Sequence, residues 1–294
     1  MISIKNVHNP KIEGITPIAY SVKLFNSLNE DFTEYYYGSG RIAQYILRKC
    51  CKIIFKGQNI VGLIWVDSFK KPVCYIKTIY FSNNISIEEI ELTFKALFKV
   101  GTTIYAKTTE KDPCADVLKK CNFKENLSLD EMELSLLAYN PSNYNKSSFN
   151  ELKITNLREG IDEVTRVKVQ NLVFGSEARV PISLNDVKAD KLQNYYIPEG
   201  NYFLKFKNEF IGYGQLIFYG NNLTLVNFGV IEEYRGLGYG EYFLLSILEE
   251  AKKMGYINIR LKVKSKNTAA LNLYKKVGFV KNATFIEWKL KNKH

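Results

Sequence analysis

The two halves of this 294-residue sequence repeat one order of predicted elements. Each half begins with two apolar segments on either side of a short polar turn, and continues with a helical pattern that ends at a glycine. The matching segments are 53–62 with 203–212, 87–100 with 244–254, 117–123 with 273–279, and 132–134 with 286–288. The order in each half is strand, strand, strand, helix, strand, helix, strand. We infer two tandem copies of one mixed α/β unit.

A polar segment separates the two copies. Residues 138–150 read Ala-Tyr-Asn-Pro-Ser-Asn-Tyr-Asn-Lys-Ser-Ser-Phe-Asn, and this concentration of Pro, Asn and Ser is typical of a linker. We therefore predict a first domain at 1–140, a linker at 141–150 and a second domain at 151–294.

Cysteine and histidine usage excludes several classes of site. The five cysteines form no Cys-x-x-Cys pair, and their odd number disfavours a disulfide framework. The only two histidines, His8 and His294, lie near the chain ends. A Ser-His-Asp triad, a Cys-His pair and a histidine-rich metal site are all disfavoured, so we predict no metal.

Composition also constrains the partners. No apolar run approaches the roughly 20 residues that cross a bilayer, and the first residues lack a signal-peptide pattern, so we expect a cytoplasmic protein without a membrane partner. The net charge of +11 fits a lysine-rich surface or an anionic ligand. Because both signs of charge interleave, we expect no nucleic-acid partner. The oligomeric state is open, and a monomer is compatible with the sequence.

A glycine-rich loop lies between a predicted strand and a predicted helix in the second half. Its sequence, Arg235-Gly236-Leu237-Gly238-Tyr239-Gly240, lets backbone N–H groups converge on an anion at a helix N-terminus. The third glycine comes one residue too early for a dinucleotide fingerprint, and no Walker or kinase motif accompanies it. The loop alone predicts either a phosphate site or an ordinary glycine-rich turn.

A second motif follows the next predicted strand. Residues 267–279 read Asn-Thr-Ala-Ala-Leu-Asn-Leu-Tyr-Lys-Lys-Val-Gly-Phe, which predicts a helix capped by Asn267 and ended by Gly278. With the glycine loop, this motif resembles the GCN5-related N-acetyltransferase (GNAT) superfamily. The resemblance covers roughly residues 223–290, and it implies two tandem GNAT-like acyl-CoA N-acyltransferase domains. The first copy is degenerate, because segment 80–86 contains no glycine and no arginine.

The resemblance implies acetyl-CoA as co-substrate, held in a V-shaped opening between the strand ending near Val230 and the strand 257–263. The backbone near Phe228, Val230 and Ile231 would pair with the pantetheine arm. The glycine loop would hold the pyrophosphate. The implied cofactor residues are Phe228, Val230, Ile231, Arg235, Gly236, Leu237, Gly238, Tyr239, Gly240, Glu241, Asn267 and Tyr274.

The resemblance also implies direct attack of an amine on the thioester. Tyr274 lies where the family places the general acid that protonates the leaving thiolate, whereas the first half has Leu118 at the matching place. The central strand offers Asn227 but no carboxylate, so Glu232 is our candidate base, with Glu233 beside it. Two alternatives stay open: Tyr274 as a helix tyrosine packed against the core, and Glu232 as a solvated carboxylate of the loop.

The acceptor is expected to be a primary amine of a small molecule or peptide. Segment 174–196 would flank it, where Glu177, Asp186 and Asp190 could attract the amine while Tyr195 and Tyr196 could form a wall, although surface or packing roles are open for each. Two other functions stay open: a non-catalytic CoA-binding or protein-interaction module, and a transferase for longer acyl or aminoacyl groups on the same fold.

Overall fold

The computed structural model describes residues 2–10, 15–137, 149–175 and 179–293. The chain forms two compact units: an N-terminal unit made of Met1–Leu129 with Ala283–His294, and a C-terminal unit made of Asp130–Asn282. Both combine helices with a mixed sheet, which confirms the predicted mixed α/β class. Apart from residues 149 and 150, the predicted linker lies outside the described residues, and the division at 141–150 stays a prediction.

Within its described residues, the N-terminal unit contains five helices, five complete strands and parts of two further strands, β6 and β12. The chain enters the C-terminal unit within β6 and returns within β12. The elements are β1 (Ile2–Asn6), α1 (Ile15–Phe25), α2 (Phe32–Tyr37), α3 (Arg41–Cys50), β2 (Cys51–Lys56), β3 (Asn59–Val66), β4 (Val73–Phe81), α4 (Ile87–Leu97), β5 (Thr103–Thr109), α5 (Pro113–Lys120), β6 (Lys124–Ser135) and β12 (Val280–Lys291).

The C-terminal unit repeats this succession, except that two helices instead of three follow its first strand in the described residues. Its elements are β7 (Leu152–Asn156), α6 (Glu163–Phe174), α7 (Leu184–Lys191), β8 (Tyr196–Phe206), β9 (Glu209–Tyr219), β10 (Asn222–Val230), α8 (Tyr239–Lys253), β11 (Asn258–Lys264) and α9 (Thr268–Val277). A short 3-10 turn, Glu232–Tyr234, connects β10 to the glycine loop. None of the helices in the described ranges is long and apolar enough to cross a membrane.

The strand order is equivalent in the two units. It is β1-β2-β3-β4-β5-β12 in the N-terminal unit and β7-β8-β9-β10-β11-β6 in the C-terminal unit. The last strand of each unit therefore comes from the other half of the chain. Strand β12 completes the N-terminal sheet, and β6 completes the C-terminal sheet. Met132 and Leu134 of β6 are buried in the C-terminal core, and Trp288 of β12 is buried in the N-terminal core, where its Nε1 donates to Thr108 Oγ1 at 2.9 Å.

Helix α8 holds the C-terminal core together. Its residues Phe243, Leu244, Ile247 and Leu248 are completely buried, as the predicted helical spacing of apolar residues requires. Burying each of these side chains contributes about 2 kcal/mol relative to exposure. This packing fixes the start of α8, and with it the glycine loop, against the end of β10.

Strand β10 changes its pairing halfway along its length. It pairs in parallel with β11 only at Thr224–Arg260 and Leu225–Leu261, although it continues to Val230. A β-bulge on the β9 side lies between Val226 and Gly229, and Asn227 within it has a positive φ of 50°. Bulges of this kind redirect side chains near functional sites. The backbone from Asn227 to Val230 is thus left without β11 pairing.

Candidate functional site

The glycine loop forms a backbone cradle at the start of α8. Gly236 and Gly238 have left-handed φ values of 78° and 81°, which non-glycine residues seldom adopt. Gly238 is the N-cap residue, and no side chain caps the helix. The first N–H groups of α8 are therefore available to an anion, and the helix dipole favours negative charge there.

Arg235 fastens this loop to its surroundings. Its Nε donates to the carbonyl of Val230 at 2.9 Å, and one Nη donates to the carbonyl of Val173 at 2.9 Å. The guanidinium thus joins the end of β10, the end of α6 and the loop. Its first role in this geometry is to hold the cradle in place, with its positive charge beside the cavity described next.

A cavity of about 440 Å³ extends from the cradle along β10 to α9. Several predicted cofactor residues meet there although they are far apart in sequence. Those that line the cavity are Phe228, Val230, Arg235, Gly236, Gly240, Asn267 and Tyr274. Additional lining comes from Val173 and Phe174 of α6, Gly229 of β10, and Ala269, Ala270 and Leu273 near or within α9. No carboxylate is among these lining residues.

The other predicted cofactor residues do not line this cavity. The side chain of Leu237 is exposed, whereas Ile231 packs against a hydrophobic cluster under α6. The Tyr239 ring lies against Phe206 at 5.5 Å between centroids. Gly238 shapes the loop, and Glu241 forms an ion pair with Lys276 at 2.6 Å. Contact between these residues and the cofactor stays a prediction, and their backbone groups would make it.

Asn267 caps α9, because its side-chain oxygen accepts from the N–H of Ala270 at 3.2 Å. Gly278 ends the same helix with a left-handed φ of 107°. These two caps fix the helix that presents Tyr274 to the cavity.

Tyr274 is 7 % exposed and lies between the rings of Phe228 and Phe279. Burial raises the pKa of Tyr274 well above that of an exposed tyrosine. The hydroxyl is protonated at neutral pH, as in an exposed tyrosine, and the raised pKa makes it a weaker acid. No group within the described ranges forms a hydrogen bond with this hydroxyl.

Glu232 lies on the exposed 3-10 turn after β10, as does Glu233. Neither residue lines the 440 Å³ cavity. The role of Glu232 as a base stays a prediction, and the structure gives it no contact with the cavity.

A second cavity, of about 360 Å³, lies beside the bulge of β10. It is lined by Asn227 and by three of the predicted acceptor-site residues, Asp186, Asp190 and Tyr195. Tyr196 does not line it, and Glu177 lies outside the described residues. The Asp186 carboxylate accepts hydrogen bonds from Ser183, which lower its pKa. These two residues form the capping box of α7, so the main contacts of Asp186 are structural.

Sequence reasoning missed two buried polar residues of this region, Arg166 and Gln215. Arg166 of α6 forms an ion pair with Asp190 at 2.6 Å, and Gln215 of β9 donates to the same carboxylate at 2.9 Å. These residues lie far apart in the chain. The described part of the chain has no group of metal-ligating side chains that could hold an ion.

Comparison with known proteins gives a family match within the C-terminal half. Residues 176–279 match the model of the Acetyltransferase (GNAT) family. A search of curated proteins finds no match.

Solved structures are similar to the whole chain in fold. A GCN5-related N-acetyltransferase from Sphaerobacter thermophilus has a TM-score of 0.62 at 12 % identity, covering 100 % of this chain and 97 % of its own. A tandem GNAT protein from the clavulanic acid biosynthesis pathway has a TM-score of 0.54 at 11 % identity, covering 99 % and 98 %. A GNAT-family acetyltransferase from Colwellia psychrerythraea has a TM-score of 0.53 at 13 % identity, covering 98 % and 100 %. At these identities the likeness shows a shared tandem fold.

Proposed function

Since this chain carries an acetyltransferase domain of the GNAT family in its C-terminal unit, we propose that it transfers the acetyl group of acetyl-CoA to a primary amine. The observation that carries the proposal is the 440 Å³ cavity. It joins an uncapped helix N-terminus, a strand edge without a partner and a protonated tyrosine.

The residues around this cavity fit acetyl-CoA in three respects. The N–H groups at the start of α8 suit a pyrophosphate, since two of the loop glycines have left-handed backbones and none has a Cβ that would obstruct the approach. The backbone of Phe228 to Val230, which has no pairing on its β11 side, suits the amide groups of a pantetheine arm. A backbone N–H in this stretch would also polarise the thioester carbonyl.

The proposed reaction proceeds by direct transfer. The amine nitrogen forms a bond to the acetyl carbonyl carbon, and the carbon–sulfur bond breaks. Tyr274 donates its hydroxyl proton to the departing sulfur, and the amine loses a proton to solvent or to a base. Acetyl-CoA supplies the activated thioester that this attack requires.

The first test is a thiol-release assay with acetyl-CoA and a panel of polyamines, amino acids, aminoglycosides and peptide N-termini. We expect thiol release with at least one amine. We also expect acetyl-CoA to raise the melting temperature, because a ligand that binds only the folded state stabilises it. No melting shift with the wild-type protein would exclude the cofactor assignment.

A second candidate function is a CoA-binding module without turnover. The cavity lining supports it in one respect, because no carboxylate base is present there. Under this alternative, acetyl-CoA raises the melting temperature but no amine releases thiol. Competition between acetyl-CoA and longer acyl-CoAs in the melting assay tests the third candidate, a longer-acyl transferase.

A further inference from the structure

A chain of polar side chains connects α7, β9 and the bulge of β10. Asp190 Oδ2 accepts from Gln215 Nε2 at 2.9 Å, and Gln215 Oε1 accepts from Asn227 Nδ2 at 3.0 Å. Arg166 donates to Gln215 Oε1 at 3.3 Å and to Asp190 Oδ2 at 2.6 Å. Tyr195 donates to the other oxygen of Asp190 at 2.8 Å. Gln215 is 1 % exposed, so this chain is fixed within the protein interior.

Donor and acceptor chemistry determines the orientation of both amides. A carboxylate only accepts, so Gln215 must present its NH₂ group to Asp190. A guanidinium only donates, so the oxygen of Gln215 must face Arg166. Asn227 then has to present its own NH₂ group to that oxygen. The orientation of the Asn227 amide is therefore determined by its partners in the network.

The result is an amide of fixed orientation beside the cavity proposed for the acceptor. With Nδ2 of Asn227 committed to Gln215, its Oδ1 is left to accept from another group, and no described group donates to that oxygen. Asn227 lines both the 360 Å³ cavity and a 670 Å³ cavity along β10 and β11, while the next residue, Phe228, lines the 440 Å³ cavity proposed for acetyl-CoA. The positive φ of 50° at Asn227 is a conformation that asparagine tolerates better than most residues.

We propose that Asn227 Oδ1 accepts a hydrogen bond from the attacking nitrogen of the acceptor amine, and that Gln215 and Asp190 hold the amide in this orientation. The inference rests on the proposed function and deepens it. It makes Asn227 a catalytic residue by contact with the substrate, and it makes Gln215 and Asp190 positioning residues. It also assigns Asp190 a role other than base, since both of its oxygens already accept hydrogen bonds.

The test uses the amine with the highest thiol release in the panel. Asn227→Ala should lower kcat/KM for that amine about 10- to 100-fold, the range for a lost hydrogen bond to a charged or reacting group. Its Kd for acetyl-CoA should stay within about twofold of wild type. Asn258→Ala, an exposed asparagine at the start of β11, is the matched control and should leave both values unchanged.

Two further variants separate orientation from simple acceptor chemistry. Asn227→Asp keeps an oxygen in place but cannot donate to Gln215 Oε1, so we expect a loss similar to that of Asn227→Ala. Gln215→Glu places two carboxylates together and should also lower kcat/KM. The double variant Asn227→Ala with Gln215→Glu should lose no more activity than Asn227→Ala alone, which a merely structural role for Gln215 would not produce.

Each outcome decides between the proposals. An unchanged kcat/KM in Asn227→Ala, or higher activity in Asn227→Asp, would overturn the oriented-amide proposal while leaving acetyl transfer intact. A wild-type protein that binds acetyl-CoA but acetylates no amine would overturn the proposed function, and this inference with it.

Discussion

The helices that follow the central strands differ between the two units in how their N-termini are capped. In α4, Ser86 Oγ accepts from the N–H of Glu89, and the Glu89 carboxylate accepts from the N–H of Ser86. This capping box satisfies two of the groups that an anion would need. In α8, Gly238 takes the N-cap position with no side-chain cap. One helix satisfies its own N-terminus, and the other leaves it open.

The strands that precede these helices also differ, in whether a side chain occupies their backbone hydrogen-bonding groups. By their pairing with Gly62 and Gly212, Ile79 of β4 corresponds to Phe228 of β10. In the N-terminal unit, the Asn29 side chain accepts from the N–H of Ile79 at 2.9 Å and donates to its carbonyl at 2.8 Å. No described side chain pairs in this way with Phe228. In the N-terminal unit these backbone groups are satisfied from within the unit, whereas the corresponding Phe228 borders the 440 Å³ cavity.

The largest expected effect comes from the loop glycine. Gly238→Glu should abolish measurable acetyl-CoA binding by calorimetry, because it places a carboxylate and a side chain in the cradle. Gly255→Glu, at the other end of α8, has a similar positive φ of 85° and is the matched control for backbone strain. It should bind acetyl-CoA like the wild type. Equal loss in both variants would assign the effect to folding instead.

The second-largest expected effect concerns Tyr274, for which the N-terminal copy has Leu118 at the matching position. Tyr274→Phe should lower thiol release about 100-fold or more, since it removes the proton donor, while acetyl-CoA affinity stays within a few-fold of wild type. Tyr256→Phe, a partly buried tyrosine elsewhere in this unit, should retain full turnover. Full turnover in Tyr274→Phe would show that another group protonates the sulfur. The corresponding Leu118 is completely buried and carries no proton donor.

Removing the Asn29 side chain, which pairs with the backbone of Ile79 in the N-terminal unit, should affect stability rather than activity. Asn29→Ala leaves two buried backbone groups of Ile79 without these partners and should lower the free energy of unfolding by about 2 to 3 kcal/mol. Chemical denaturation measures this, with exposed Asn83→Ala as control. A change below about 0.5 kcal/mol, or a change in acetyl-CoA affinity, would contradict the role assigned to Asn29.

The smallest expected effect is on the pH dependence of stability, which should differ between the two units. Burial raises the pKa of Cys121 to about 12 and raises that of Cys114 well above its ordinary value of 9.0. Stability is retained below pH 9 and falls as pH rises above it, because the unfolded chain ionises its thiols first. Each thiol should cost about 1 kcal/mol near pH 9.5. Hydrogen exchange should show the N-terminal unit opening first, since all five cysteines lie there.

Loss of this preferential opening in a Cys114→Ala, Cys121→Ala variant would support the assignment to the thiols. In the described part of the C-terminal unit, the buried acids that ionise above neutral pH are tyrosines, including Tyr202, whose pKa burial raises to about 12. Their ordinary value is 10.0, so they should affect stability only at higher pH. Simultaneous opening of both units from pH 9 would contradict the prediction.

The parts of the site that sequence could predict are those encoded locally. The glycine loop and the Asn267–Gly278 helix each require particular residues at fixed spacing, because left-handed turns and helix caps depend on adjacent positions. The exchange of β6 and β12 was not predictable, since 132–134 and 286–288 carry the same alternation and either suits either sheet. The Asp190–Gln215–Asn227 chain was missed because it joins three elements through tertiary packing. Asn29 was missed for the same reason, as its partner Ile79 is 50 residues away.

We infer that this chain, with two copies of the fold, has one site open to acetyl-CoA. Isothermal titration calorimetry of acetyl-CoA into the wild-type protein measures the number of sites. We expect one equivalent bound per chain, and none in Gly238→Glu. Two equivalents per chain, or one equivalent retained in Gly238→Glu, would contradict it.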